Sequence, residues 1–187
     1  MPSDYNTIIQ DFMKVILMGY MGSGKSTLAK KVAEQLNVRA LDLDQVIEEK
    51  EGCSIPEIFK TKGEIYFRKA ENQHLNELLT SEDSFVLALG GGTPCYANNI
   101  HLIKSFSLSV YLKGSIETLK NRLNKRKGGR PLIEGMNEEQ LTEFIAKHLF
   151  ERRDFYEQAE IVLSIDEKDA DQNATELVSK IRDAYSK

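Results

Sequence analysis

A glycine-rich segment that ends in a lysine and a serine is the strongest chemical pattern in the chain. Gly19-Tyr-Met-Gly-Ser-Gly-Lys-Ser26 matches G-x-x-x-x-G-K-[ST], in which glycines let successive backbone N–H groups turn toward a phosphate. At these positions Lys25 reaches the terminal phosphates and the Ser26 hydroxyl ligates Mg²⁺. A chance glycine-rich turn is the alternative, but the flanking strand and helix patterns favour nucleotide binding. We call residues 19–26 the phosphate loop and expect it to bind a nucleoside triphosphate.

Two aspartates, Asp42 and Asp44, lie two residues apart at the end of a predicted second strand. Side chains at i and i+2 of an extended backbone share a face, so both carboxylates are expected to point into one cleft. We predict that one acid lies near Mg²⁺ and the other near the hydroxyl of a phosphate acceptor, because phosphoryl transfer to an alcohol needs an oriented oxygen and a proton acceptor. Helix capping is the alternative for either residue.

Two arginines lie on helix faces that are otherwise apolar. Arg152 falls within an apolar stripe that spans residues 141–159, and an inward guanidinium needs an anion because an unpaired buried charge is costly. Arg68 leans toward an apolar face too, although Glu64 and Glu71 are possible ion-pair partners at i−4 and i+3. If both arginines face a pocket, they suit a carboxylate ligand, which a planar guanidinium holds with two hydrogen bonds.

A glycine triplet and a basic loop are weaker signals. Gly90, Gly91 and Gly92 follow an apolar run and either expose backbone amides to a small ligand or only meet the needs of a strand end. The stretch from Lys125 to Pro131 includes Arg130 and is either a solvated loop or a lid that closes over phosphates.

The histidines and cysteines show no metal-binding or disulfide pattern. His74, His101 and His148 lack H-E-x-x-H spacing, and Cys53 and Cys95 form no C-x-x-C pair. His148 and Tyr156 lie one helical turn on either side of Arg152, so all three share a face.

The elements that position these residues alternate between strands and helices. Apolar runs predict five strands, at about 13–18, 38–43, 84–89, 107–112 and 159–165. Helical patterns lie between them, with the clearest at about 25–36, 45–50 and 63–80 and a final helix near residue 187. This order predicts one α/β domain over residues 1–187, with a parallel sheet covered on both faces and residues 1–12 as a loosely held lead-in. In such a sheet, ligands bind beyond the carboxyl ends of the strands.

Composition excludes several classes of protein. The chain has 187 residues, a net charge of -4 and 41% hydrophobic residues, which is typical of a single globular domain and not of a nucleic-acid binder. The longest apolar run near the N-terminus, Val15 to Met18, is too short for a membrane span. We therefore expect a cytoplasmic protein that contacts neither membranes nor nucleic acid.

Six separated motifs, taken together, resemble the shikimate kinases. They are the loop from Gly19 to Thr27, Asp42-Leu-Asp44, Phe59 with Gly63-Glu64 and Phe67-Arg68, the triplet Gly90–Gly92, Arg130-Pro-Leu132, and Arg152 with Tyr156. The resemblance covers about residues 13–165. It implies a P-loop fold like that of the nucleoside monophosphate kinases, which is a three-layer sandwich with a five-stranded parallel sheet and a mobile lid at about 124–137. It also implies phosphorylation of the 3-hydroxyl of shikimate by ATP with Mg²⁺, and we expect a monomer.

The same resemblance implies a role for each matching residue. Asp44 orients the acceptor hydroxyl, while Lys25 and Arg130 stabilise charge on the transferred phosphoryl group. Ser26 and Asp42 hold Mg²⁺. The residues expected to bind shikimate are Asp44, Arg68, Gly90, Gly91, Gly92 and Arg152. Those expected to bind ATP are Gly22, Ser23, Gly24, Lys25, Ser26, Thr27, Arg122, Arg130 and Lys168.

Two other functions are compatible with the patterns. One is a P-loop kinase whose small acceptor is gluconate or a nucleoside monophosphate. The other is an ATP-binding switch that transfers no phosphate. The inward arginines favour the carboxylate-bearing acceptor, because a nucleotide acceptor also needs a pocket for its base.

Overall fold

A parallel five-stranded sheet forms the centre of the computed structural model, which describes residues 12–125 and 133–186. The strands are β1 (Lys14–Met18), β2 (Arg39–Asp42), β3 (Phe85–Ala88), β4 (Leu108–Lys113) and β5 (Ile161–Ser164). Their spatial order is β2-β3-β1-β4-β5, and each neighbouring pair is parallel. The strand that precedes the phosphate loop is therefore central, and its carboxyl end opens into the crevice where such sheets bind ligands.

Helices cover both faces of this sheet, as the sequence predicts. In chain order they are α1 (Lys25–Leu36), α2 (Leu43–Glu51), α3 (Ile55–Thr61), α4 (Gly63–Thr80), α5 (Asn99–Phe106), α6 (Ile116–Lys125), α7 (Glu138–Tyr156) and α8 (Ala170–Tyr185). Residues of α1 and α8 pack on one face, while α2 to α5 and the end of α7 pack on the other. The predicted fold class is confirmed.

The central strand shows why the sheet must be covered twice. Val15 and Leu17 belong to the apolar cluster under α1 and α8, whereas Ile16 and Met18 belong to the cluster on the opposite face. Successive side chains of a strand point to opposite faces, so a strand that is apolar at every position is stable only between two layers of helices.

A third apolar cluster joins the phosphate loop to the helices on either side of residues 126–132. Tyr20 of the loop packs in it with Leu119 and Leu123 of α6 and with Leu141 and Ile145 of α7. The cluster packs α6 and α7 against the phosphate loop.

The expected position of Asp44 at a strand end is wrong. Strand β2 ends at Asp42, and Asp44 lies in the first turn of α2 because the Asp42 carboxylate accepts a hydrogen bond from the Asp44 backbone N–H at 3.1 Å. This contact is helix capping, which leaves no extended residue after Asp42. The two carboxylates therefore do not share a strand face.

Some predictions fall outside the described residues. They concern the lead-in, of which residues 1–11 are not described, and the lid, whose central part at 126–132 includes Arg130. Among the helices in the described ranges, none combines the length and the apolar character that a membrane span requires.

Candidate active site

The phosphate loop curls around the position where a polyphosphate is expected. Gly22 and Gly24 have φ values of 84° and 93°, which L side chains rarely adopt. The Lys25 ammonium donates hydrogen bonds to the backbone oxygens of Gly19, at 2.7 Å, and Tyr20, at 3.1 Å. The Ser23 hydroxyl oxygen is buried and has no hydrogen-bond partner among the described residues, as expected of a group that binds a ligand oxygen.

Ser26 and Asp42 meet beside this loop. The Ser26 hydroxyl, at the start of α1, donates a hydrogen bond at 2.6 Å to a carboxylate oxygen of Asp42, at the end of β2. Asp42 thus caps α2 with one oxygen and contacts Ser26 with the other. A hydroxyl and a carboxylate are the hard oxygen ligands that Mg²⁺ accepts, and Mg²⁺ commonly takes only one or two protein ligands beside substrate phosphates. The described residues hold no cluster of three or more acidic, histidine or cysteine ligands.

Asp44 is largely buried near the glycine triplet. A Cβ atom built on Gly90 would lie 3.4 Å from Oδ1 of Asp44, so the backbone of Gly90 and the Asp44 carboxylate are close neighbours. Burial, assisted by the neighbouring carboxylates of Asp42 and Glu71, raises the pKa of Asp44 to about 6, although Lys25 opposes the shift. A carboxylate whose pKa lies near neutrality can hold or accept a proton at physiological pH.

The two arginines converge on the glycine triplet from different helices. Nη1 of Arg68, on α4, lies 3.4 Å from the position of a Cβ on Gly92, and Nη1 of Arg152, on α7, lies 3.3 Å from that of Gly91. Tyr156 donates a hydrogen bond to the backbone oxygen of Gly91 and so fixes the triplet against α7. Two guanidinium groups beside exposed backbone can hold a small anion such as a carboxylate.

Glu71 is a site residue that sequence reasoning treated only as an ion-pair partner. Its buried carboxylate accepts a hydrogen bond from Thr93 and pairs with Arg68 at 3.4 Å, while Arg68 also pairs with Glu64 at 3.3 Å. Burial raises the pKa of Glu71, against the opposing effects of Thr93 and Arg68. The i+3 spacing from Arg68 was the available signal, but Thr93 lies 22 residues away along the chain.

A cavity of about 280 Å³ adjoins the phosphate loop on the side of α8. Arg122 borders it and donates hydrogen bonds at 3.0 Å to the backbone oxygens of Ser23 and Ile165, which orients its guanidinium along the cavity. The other lining residues include Gly22, Ser23, Gly24, Thr27, Ala170 and Asn173. This cavity is continuous with the phosphate loop and is suited to a nucleoside.

Lys168 adjoins the cavity beside the phosphate loop through its backbone, whose oxygen accepts a hydrogen bond from Asn173 of the cavity lining. The Lys168 ammonium pairs with Glu176 on α8, and the residue also borders a separate open depression. Arg130 is outside the described residues. The structure brings together the remaining residues expected to bind ATP, shikimate and the metal at the carboxyl edge of the sheet.

Comparison with known proteins identifies one family. A family model described as shikimate kinase matches residues 21–182. The shikimate kinase of Flavobacterium johnsoniae is 48% identical over 166 residues, which cover 88% of this chain and 96% of that protein. That of Flavobacterium psychrophilum is 44% identical over 156 residues, which cover 83% of this chain and 91% of that protein.

Solved structures agree with the sequence comparison. Shikimate kinase from Bacteroides thetaiotaomicron superposes with a TM-score of 0.84 at 32% identity, covering 91% of this chain and 98% of that one. Shikimate kinase from Acinetobacter baumannii, solved in complex with shikimate, gives a TM-score of 0.81 at 32% identity and covers 95% and 97% of the two chains. A gluconokinase from Sinorhizobium meliloti, at 18% identity and a TM-score of 0.60, shows likeness of fold alone. Because both the family model and these relatives cover most of its length, the chain belongs to the shikimate kinase family.

Proposed function

We propose that this chain uses the residues described above to transfer the γ-phosphoryl group of ATP to the 3-hydroxyl of shikimate. Family membership identifies it as an ATP-dependent shikimate kinase of the pathway to aromatic amino acids. The observation that carries the assignment of the site is the convergence of Arg68 and Arg152 on the glycine triplet, next to Asp44.

On the acceptor side, the two arginines bind the carboxylate of shikimate and Asp44 binds the hydroxyl that reacts. The cation pair neutralises the ligand charge, and the backbone of Gly90 to Gly92 leaves room for the ring. Holding the carboxylate at one end and the hydroxyl at the other fixes the orientation of the acceptor before reaction.

On the donor side, the phosphate loop binds the phosphates through backbone N–H groups and Lys25. Arg122 and the adjoining cavity receive the nucleoside. Arg130, carried over from the family motif, stabilises charge on the transferred group. Ser26 and Asp42 are the residues that hold Mg²⁺, which neutralises charge on the phosphates when bound.

The transfer itself needs little covalent work from the protein. The shikimate 3-oxygen forms a bond to the γ-phosphorus, the bond from that phosphorus to the bridging oxygen of ADP breaks, and the hydroxyl proton passes to the Asp44 carboxylate. Asp44 is suited to this role because a general base works best when its pKa lies near the working pH, and the pKa of Asp44 is raised to about 6.

An acceptor panel tests the proposed function. ADP release is measured with Mg²⁺ and ATP in the presence of shikimate, gluconate, AMP or CMP. Of these four acceptors, we expect only shikimate to give turnover. Turnover with gluconate or a nucleotide in the absence of shikimate turnover would overturn the assignment, and tight ATP binding without any acceptor-dependent turnover would indicate an ATP-binding switch.

We also propose that the enzyme acts as a monomer in the cytoplasm. The described residues of the acceptor pocket and of the Ser26–Asp42 pair all come from one chain. Sedimentation velocity at assay concentrations is expected to give a single species near 21.2 kDa.

A further inference from the structure

Tyr20 makes a hydrogen bond that links the phosphate loop to helix α7. Its side chain is 1% exposed, and its phenol oxygen lies 3.0 Å from Nδ1 of His148. His148 precedes Arg152 by one helical turn, so this contact anchors Tyr20 to the part of α7 that carries the arginine.

The ring of Tyr20 supports Arg152. The guanidinium carbon of Arg152 lies 5.7 Å from the centroid of the Tyr20 ring, within the range of a cation–π interaction. The same guanidinium reaches the position of Gly91 in the acceptor pocket. The Arg152 guanidinium therefore contacts both the Tyr20 ring and the backbone of the acceptor pocket.

Tyr20 also contacts the donor side of the site. Its backbone oxygen accepts a hydrogen bond from the Lys25 ammonium at 3.1 Å. One residue thus contacts the lysine that binds phosphate and the arginine that faces the acceptor pocket. A change in the position of the Tyr20 side chain is transmitted to Arg152 through a direct contact.

His148 is held in place from its other side. Phe144, one turn earlier on α7, packs edge-on against the imidazole with ring centroids 4.2 Å apart. Burial lowers the pKa of His148, and the adjacent positive charge of Arg152 adds to the shift, so the neutral imidazole is favoured. A neutral, packed imidazole is a fixed hydrogen-bond partner that adds no positive charge beside the arginine.

We propose that the hydrogen bond between Tyr20 and His148 positions Arg152 for the carboxylate of shikimate. Tyr20 and His148 are positioning residues, since they act through Arg152 and do not touch the reacting atoms. The inference rests on the proposed function, in which Arg152 binds that carboxylate. It adds a determinant of acceptor affinity that lies within the nucleotide-binding loop.

The test is a double-mutant cycle on shikimate affinity. Shikimate dissociation constants are measured by calorimetry, with ADP and Mg²⁺ present, for the full chain and for Tyr20→Phe, His148→Leu and the double variant. Each single variant is expected to weaken shikimate binding by about three- to tenfold, which is the scale of one lost hydrogen bond. The double variant is expected to bind shikimate as well as the single variant with the lower affinity does, because both substitutions remove the same hydrogen bond.

Three further measurements separate positioning from general stability. His148→Asn, whose amide is placed near the position of Nδ1, is expected to restore most of the affinity. ADP dissociation constants are expected to stay within about twofold in all variants. Tyr185→Phe is the matched control, because Tyr185 is a partly buried tyrosine whose hydroxyl bonds the backbone of Lys14 at the opposite end of β1. It is expected to lower the melting temperature without changing shikimate affinity.

Several outcomes would overturn the inference. These are unchanged shikimate affinity in both single variants, additive losses in the double variant, or equal losses of ADP and shikimate affinity that follow the melting temperature. Arg152→Ala in the same titrations distinguishes the two levels of the argument. If Arg152→Ala binds shikimate normally, the proposed function of that residue fails; if Arg152→Ala loses affinity and Tyr20→Phe does not, only the positioning role fails.

Discussion

At the scale of single residues, Asp44 is held where its negative charge is costly. Burial and the carboxylates of Asp42 and Glu71 raise its pKa to about 6, and the cation of Lys25 offsets only part of this cost. In the unfolded chain an aspartate titrates near pH 4. The folded state therefore binds more protons than the unfolded state between these values, and stability falls as the pH rises through that window.

Replacing the Asp44 carboxylate by an amide separates its chemical role from its structural cost. Asp44→Asn is expected to lower kcat by about 10²- to 10⁴-fold, because the amide cannot accept the hydroxyl proton. The free energy of unfolding of the same variant is expected to be up to about 3 kcal/mol higher at pH 8. The amide carries no charge, so the cost of ionising a buried carboxyl, which raises its pKa by about two units, is removed. Steady-state kinetics and urea denaturation check the two effects. Full turnover in the variant would exclude Asp44 as the proton acceptor.

The pKa of Asp44 also predicts a pH dependence. As the pH falls through 6 the carboxyl becomes protonated and accepts no further proton, so kcat/KM for shikimate is expected to fall about fivefold between pH 6 and pH 5. The rate is measured from pH 5 to pH 9, with ADP affinity as a control for the donor side. A rate that stays level down to pH 5 would contradict the ionised form of Asp44 as the active one.

The arginine pair predicts a loss of binding at the acceptor side. Arg68→Ala and Arg152→Ala are each expected to weaken shikimate binding by at least about tenfold, because a charge-assisted contact to the carboxylate is lost. Arg153→Ala is the matched control, since Arg153 is the next residue on α7 but is exposed and pairs with Glu157. Calorimetric titration with shikimate measures all three. Equal affinity in the two site variants and the control would remove the carboxylate assignment.

At the scale of elements, the start of α2 serves both the fold and the proposed metal site. Asp42 ends β2, accepts the capping hydrogen bond of α2 and contacts Ser26 of α1. The capping interaction places Asp44 in the first turn of α2, close to the glycine triplet after β3. Three elements therefore fix the relative positions of the metal-site acid and the acceptor-site acid.

This double role of Asp42 can be tested with two substitutions. Asn caps helices as well as Asp does, so Asp42→Asn is expected to keep stability within about 0.5 kcal/mol, whereas Asp42→Ala loses about 1 kcal/mol. Both variants are expected to raise the Mg²⁺ concentration for half-maximal activity by about tenfold or more, because the anionic oxygen is gone. Denaturation and Mg²⁺ titration of activity give the two quantities. An unchanged Mg²⁺ requirement in Asp42→Asn would remove Asp42 from the metal site.

Periodicity predicted whole elements better than it predicted their junctions. The helices at 25–36 and 63–80 begin and end in the structure where their apolar spacing predicts. The second strand was predicted at 38–43 and runs over 39–42, so it is one residue shorter at each end. At its carboxyl end, the alternation of acids with leucines is typical of a strand, although Asp42 caps a helix there. Glu71 was not recognised as a site residue, since its partner Thr93 is brought to it only by the fold. Lys168 pairs with Glu176 on α8, and its contact with adenine stays a prediction.

At the scale of the whole molecule, the order of the strands brings the two substrates together. The central position of β1 places the phosphate loop between the end of β3, which carries the glycine triplet, and the helices that follow β4. Donor and acceptor groups from distant parts of the chain therefore meet at one edge of the sheet. The sequence motifs identify these residues one by one, but only the sheet order explains why they act together.

The most direct measurement of this arrangement is a crystal structure of the chain with ADP, Mg²⁺ and shikimate. We expect the shikimate carboxylate to contact Arg68 and Arg152 and its 3-hydroxyl to lie within about 3 Å of an Asp44 oxygen, facing the phosphates held by residues 19–26. Shikimate bound with its 3-hydroxyl turned away from Asp44, or bound outside the pocket formed by the arginines and the glycine triplet, would contradict the account.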